Sequence, residues 1–222
     1  LLGDGNGSFG SPTNLDTGVN PTAIVSGDFN NDGKKDLATA NYTDNNVSVL
    51  LSTPDVPMPP VGFSPLTNYQ TGFNPRSVFS ADFNNDGKQD LAVTNYGNGT
   101  VSVLLASSVT PGTFNPKIDY PVGVLPESIF STDFNNDGKQ DLAVTNYGSD
   151  TVSVLLASSV TPGTFNPKVD YPTGGGPQSI FSADFNNDGK RDLAVGDWID
   201  NHVSILLASS VTPGTFNPKV DY

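Results

Sequence analysis

The stretch Asp28-Phe29-Asn30-Asn31-Asp32-Gly33-Lys34-Lys35-Asp36 returns almost unchanged at 82–90, 133–141 and 184–192. The starts are 54, 51 and 51 residues apart, and ASSVTPGTFNPK recurs letter for letter at 106–117, 157–168 and 208–219. A fixed period of this length demands one supersecondary unit used repeatedly, each unit burying its apolar faces against its neighbours.

Within the third unit, 127–134, 141–147, 151–157 and 164–171 read as short strands rich in Val, Ile, Leu, Phe and Thr. Gly148-Ser149-Asp150 and Val160-Thr161-Pro162-Gly163 supply the turns. No stretch carries a 3.6-residue apolar period, so helices are not expected. Val152, Val154 and Leu156 alternate with Ser153 and Leu155, which puts apolar surface on both faces and requires cover on both sides. Four-stranded units of about this length mark propeller blades. The expected fold class is all-β: a β-propeller, or a propeller fragment, of four-stranded blades with about 51 residues per repeat.

The expected organisation is the end of a preceding blade over 1–21, then blades over 22–76, 77–127, 128–178 and 179–222, together one propeller-type domain. Leu1-Leu2 and Phe9 align with Leu155-Leu156 and Phe165, so the chain is expected to begin inside a unit. A ring of four blades, part of a larger propeller and a piece of a longer array all fit this count. Pro54, Pro57, Pro59 and Pro60 in the first unit read as a surface excursion without chemistry.

Each nine-residue loop has carboxylates at positions 1, 5 and 9, an amide at 3 and glycine at 6. Oxygen donors at alternate positions on a sharply turned backbone suit a hard cation of calcium size. The candidate ligands are Asp28, Asn30, Asp32 and Asp36; Asp82, Asn84, Asp86 and Asp90; Asp133, Asn135, Asp137 and Asp141; and Asp184, Asn186, Asp188 and Asp192. Position 7 (Lys34, Lys88, Lys139 and Lys190) would contribute its backbone carbonyl. An EF-hand would need Glu at position 12, where Thr39, Val93, Val144 and Val195 stand, so that reading fails. The expected cofactor is Ca2+, about four ions, one per loop. Magnesium, which demands near-octahedral geometry and keeps its waters, suits the loops poorly.

The net charge is −13, and eight positive charges from four calcium ions would bring it to about −5. This acidity argues against nucleic acid as a partner. The absence of Cys and the single His202 exclude disulfides, thiolate sites and multi-histidine metal sites. No apolar run approaches the ~20 residues of a membrane span, so membrane insertion is not expected. Nucleophile elbows, phosphate loops and histidine triads are missing, and no catalytic residues are assigned.

With its four DxNxDGxxD loops, each between a first and a second strand, the chain resembles the FG-GAP/VCBS repeat family, the calcium-binding propeller repeats also found in integrin α-subunit heads. The resemblance covers nearly the whole chain and implies calcium at the four loops, a usual ring of seven blades, and a secreted, extracellular or cell-surface location. Asn at position 3, where the family often has Asp, implies weaker affinity. The functional expectation is a non-enzymatic extracellular module for adhesion or for binding a glycan or protein partner. The alternative is a structural subunit that stacks on copies of itself in an extracellular filament or surface layer.

Other features read more plainly. Gly196–His202 departs from the TNYG pattern of units two and three, and Trp198 there is either a sugar-stacking residue or a drifted loop. Tyr42, Tyr96 and Tyr147 recur after the second strand and read as packing between blades. Asn6, Asn41, Asn46 and Asn98 lie in glycosylation acceptor sequences.

Overall fold

The computed structural model of the protein describes residues 6, 8, 11, 14–53 and 62–222. The described residues contain strands and turns but no helix, so none is long and apolar enough to cross a membrane. The first sheet comprises β1 (Pro21–Gly27), β2 (Asp36–Asn41), β3 (Asn46–Leu50) and β4 (Thr67–Gln70). The second comprises β5 (Pro75–Ala81), β6 (Asp90–Asn95), β7 (Thr100–Leu104) and β8 (Ile118–Pro121). The third comprises β9 (Pro126–Thr132), β10 (Asp141–Asn146), β11 (Thr151–Leu155) and β12 (Val169–Pro172). The fourth comprises β13 (Pro177–Ala183), β14 (Asp192–Asp197), β15 (His202–Leu206) and β16 (Val220–Asp221). Each sheet is an antiparallel meander in chain order. Every first strand opens on a proline, the position where a missing N–H leaves no gap inside the ladder.

The fourth strands are shorter than the sequence suggests. In the third unit Phe165 makes only an isolated bridge with Ala157, and pairing resumes at Val169. Asn166-Pro167 lies between, and proline has no N–H to give the ladder. The match of Leu1-Leu2 and Phe9 to a preceding unit and the excursion bearing Pro54, Pro57, Pro59 and Pro60 lie outside the described residues.

The core sits between sheets. Phe29, Ala38, Val47 and Val49 of the first sheet pack with Leu91, Val93, Leu104 and Phe114 of the second. The same positions join the second sheet to the third and the third to the fourth. Along β6, Leu91 and Val93 face back to the first sheet while Ala92 faces forward to the third, the two-residue alternation of a strand. With neighbours on both faces, β2, β6 and β10 are buried almost throughout, their Asp, Thr and Asn included. Each large side chain so enclosed contributes about 1.5–3 kcal/mol.

An aromatic clasp repeats at each junction. Phe29 and Tyr69 meet Phe114 edge-on at 5.8 and 5.2 Å. Phe83 and Tyr120 meet Phe165 at 5.8 and 5.3 Å, and Phe134 and Tyr171 meet Phe216 at 5.6 and 5.4 Å. The receiving Phe belongs to the segment that repeats letter for letter. In that segment Gly112, at φ 74°, donates its N–H to the Phe29 carbonyl at 3.2 Å. A Cβ there would stand 2.5 Å from Leu51 Cδ1. The repetition of this segment therefore has a packing cause: it is the socket for the preceding blade.

β1 packs beside β5, β5 beside β9, and β9 beside β13. Among the described residues no comparable packing joins β13 back to β1, so the four sheets form an open, propeller-like arc. The four described sheets do not close into a ring of four, one of the arrangements that fits the repeat count.

Candidate metal centre

Each Asp/Asn/Gly loop leaves the first strand of its sheet and returns as the second. Two left-handed residues turn it: Asn31, Asn85, Asn136 and Asn187 at φ 57–61°, and the glycine at position 6 at φ 81–84°. Asparagine tolerates this region better than other side chains. The sequence reading gave position 4 no role, although the choice of Asn there was the signal.

The second loop shows what the turn assembles. Asp82 accepts the Asp86 N–H at 3.1 Å and the Gly87 N–H at 2.7 Å. Asn84 Oδ1 accepts the same Asp86 N–H at 2.9 Å, and Asp86 accepts the Lys88 N–H at 3.0 Å. The pattern recurs around Asp28, Asn30 and Asp32, around Asp133, Asn135 and Asp137, and around Asp184, Asn186 and Asp188. Positions 1, 3 and 5 are thus drawn around one turn.

Position 9 behaves differently. Asp90 is fully buried, with Oδ2 accepting the Phe83 N–H at 2.9 Å and Oδ1 the Ala106 N–H at 2.7 Å. Asp36, Asp141 and Asp192 make the same pair of bonds. These carboxylates tie the loop to the end of the third strand, and each oxygen keeps one lone pair beyond its amide. Carboxylates 1, 5 and 9 of a loop do not all converge within 4.8 Å. Among the described residues only Asp197, His202 and Asp221 form such a group. At position 7 the backbone amide turns to position 5. In three loops the side chain does too: Lys88, Lys139 and Lys190 lie 3.1, 3.0 and 3.3 Å from Asp86, Asp137 and Asp188.

Burial pushes Asp90 and Asp141 up to about 6. Their amide bonds oppose the rise, and the nearby carboxylates of positions 5 and 1 add to it. At Asp86 and Asp137 partial burial acts upward too, but the lysine at position 7 prevails and holds both below the usual carboxylate range. The donor set is all oxygen, and its charges repel one another except where a lysine ammonium stands in for a cation. Those features fit calcium. Neighbouring loops also lie side by side. Asn85 Nδ2 donates to the Gly138 carbonyl at 3.4 Å, and a groove between the third and fourth loops is lined by Asp133, Asn136, Asp184, Lys190 and Arg191.

Residues 20–50 and 74–104 match the FG-GAP repeat, and residues 133–195 match the FG-GAP-like repeat, together more than half of the chain. The chain belongs to the FG-GAP repeat family. Among solved structures it is similar to a putative 6-phosphogluconolactonase from Bacteroides uniformis at 17% identity and a TM-score of 0.64, over 91% of this chain and 54% of that one. A functionally unknown protein from Desulfotomaculum acetoxidans matches at 15% identity and 0.62, over 93% and 59%. A protein from Lactobacillus plantarum matches at 15% identity and 0.59, over 93% and 56%. The chain thus spans little more than half the length of these structures, and at such identities the likeness speaks for the fold alone. No curated protein sequence matches it.

At the opposite end of the FG-GAP blades, the recurrent tyrosines pack between blades, as expected. Arg76 lies over Tyr42 and Tyr96, 5.4 and 4.9 Å from their ring centres, and Tyr147 tilts against Trp198 at 6.3 Å. Trp198 continues that row with 62% of its surface exposed. Of the glycosylation acceptors, Asn41 and Asn46 are buried and closed to modification in the folded chain, whereas Asn6 and Asn98 are exposed.

Proposed function

We propose that this FG-GAP chain is a non-enzymatic, extracellular calcium-binding module whose blades present loops to a glycan or protein partner. The observation that carries the reading is the fourfold loop: oxygen donors gathered on the same turn in every blade, along one end of the arc. Calcium there neutralises carboxylates that otherwise repel, and stiffens the turn that leads into the clasp phenylalanine. In each site positions 1, 3 and 5 would hold the ion first, with position 9 joining through its free lone pairs and position 7 through its carbonyl. Extracellular modules bind calcium at about 10⁻⁴–10⁻³ M, so at about 1 mM each site adds roughly 0.4–1.4 kcal/mol. The match to little more than half of longer solved structures supports reading the arc as consecutive blades of a larger propeller.

A second reading, a subunit stacked in a filament or surface layer, is favoured by one observation. The units repeat almost without divergence, down to the identical stretches at 106–117, 157–168 and 208–219, where a specialised binding face would make blades differ. Thermal melts in millimolar Ca2+ and in EGTA, with electron microscopy of both samples, test these readings. A melting temperature raised by calcium, with discrete particles, supports the binding module, and calcium-dependent fibres support the subunit. An unchanged melting temperature would sink the calcium assignment.

A further inference from the structure

The fourth blade differs from its neighbours at the end away from the calcium loops, and the differences form a set. In the second and third blades Asn95 and Asn146, at the ends of β6 and β10, each donate from Nδ2 to a threonine and a serine. The serine then donates to an aspartate on the fourth strand: Ser102 to Asp119 and Ser153 to Asp170, both at 2.6 Å. The asparagine amide and the serine hydroxyl thus each donate to an acceptor. In the fourth blade Asp197 replaces the asparagine and His202 replaces the threonine, while Ser204 and Asp221 are retained. Asp197 has no amide hydrogen to give. The Ser204 hydroxyl, with one hydrogen, now lies 2.6 Å from Asp197 Oδ2 and 2.9 Å from Asp221 Oδ1.

Two carboxylates therefore share one hydroxyl proton, one of them almost wholly inside the protein. Asp197 is 2% exposed, and its Oδ1 has no partner. His202 Nε2 lies 3.2 Å from Asp221 Oδ1 and 3.6 Å from Asp197 Oδ2, yet is buried and makes a hydrogen bond to neither. Its Nδ1 lies 3.4 Å from the Asp200 carbonyl. An N–H on that side would leave the Nε2 lone pair directed at the acids. One ligand atom from each of the three residues lies within 4.8 Å of the other two.

From this geometry we infer a divalent metal site at Asp197, His202 and Asp221 that takes a borderline cation of the zinc type. In a tetrahedral site with bonds of about 2.0–2.1 Å, ligand atoms stand about 3.3 Å apart, and each lies off its neighbour's lone-pair axis. That is the spacing around Nε2, and it accounts for close polar atoms that do not hydrogen-bond. A backbone carbonyl facing the other ring nitrogen is the usual outer-shell support of a metal-bound histidine. One nitrogen and two carboxylates favour zinc over calcium, whose ligands are oxygens. Lys219 engages Asp221 through Oδ2, leaving Oδ1 for the ion. Three protein ligands leave one position open, and Asp197 and His202 themselves line a groove edged by Gln178, Ser179 and Trp198. The site is independent of the calcium loops.

The test is a titration of the full chain with Zn2+ at pH 7.5 in saturating Ca2+, with Co2+ as a spectroscopic substitute. Saturating calcium keeps the loops out of the measurement. The double variant Asp197→Asn, His202→Thr installs the residues of the second and third blades, so its fold is safeguarded. Trp198→Tyr controls for the groove. The expected result is one Zn2+ per wild-type chain and visible Co2+ ligand-field bands, both retained by Trp198→Tyr. The double variant should lose more than the 10–100-fold in affinity that removing an outer-shell partner costs. Equal zinc binding by the double variant, or no binding by the wild type, overturns the site.

Discussion

Phe83 and Phe185 stand at the same position of two loops that share the sequence DFNNDGK, yet Phe83 is 2% exposed and Phe185 44%. Val101 and Val203 differ in the same way, one enclosed and the other exposed on the forward face of its sheet. Local sequence is constant across each pair, so the neighbour makes the difference. A blade owns only half of the core that stabilises it, and its loop phenylalanine gains burial only when the next blade's socket closes over it.

The strongest way to break this comparison is to truncate both phenylalanines. Phe83→Ala opens a cavity inside the second core and should cost about 3–5 kcal/mol. Phe185→Ala removes a side chain that is already half in water and should cost under about 1 kcal/mol. Denaturant melts in saturating calcium give both values. Similar losses would mean that the fourth blade's forward face is covered in solution.

A smaller difference separates positions 9 and 5 within one loop. Asp141→Ala leaves the Phe134 and Ala157 amides unpaired beside a buried space. It should cost about 2–6 kcal/mol even in EGTA, at about 1–3 kcal/mol per orphaned group. Asp137→Ala removes an exposed carboxylate that answers only local amides and Lys139. In EGTA it should be within about 0.5 kcal/mol of the parent, and in calcium it should remove the stabilisation of one site. Melts of both variants in the two buffers check this. A loss for Asp137→Ala in EGTA as large as that for Asp141→Ala would mean that the two positions do not divide structure from binding.

The repeat, the strand order and the turns of the loops were legible because each is local. A 51-residue period, β-branched runs and Asn-Gly turns need no partner to be recognised. Three things were not legible, for one physical reason. The staple role of Asp90 depends on an amide at Ala106, sixteen residues away on the end of another strand. The breaks before β8 and β12 depend on how a proline meets its neighbour's ladder. The Asp197–His202–Asp221 cluster draws on the ends of three strands, and in the sequence it shows only as an interruption of the TNYG pattern. What the chain brings together across strands is hidden until register is fixed, and the pleat then decides which side chains share a face.

The weakest expected difference lies between blade junctions. Arg76 bridges the first three blades: its guanidinium covers Tyr42 and Tyr96, and it reaches Glu127 at 3.2 Å. Gln178 occupies the equivalent position on β13 and is exposed. Burial raises the Glu127 carboxyl, and Arg76 draws it back down. With 37% of the arginine side chain in solvent, much of the charge attraction is screened. Arg76→Gln, which copies the fourth blade, should therefore cost about 1 kcal/mol, most of it from the lost ring contacts. Repeating the melts at 1 M salt separates the contributions, because the Debye length falls to about 3 Å and suppresses the Glu127 pair more than the stacked rings. A loss that vanished in salt would assign the junction to charge. A loss that persisted would assign it to the aromatic sandwich.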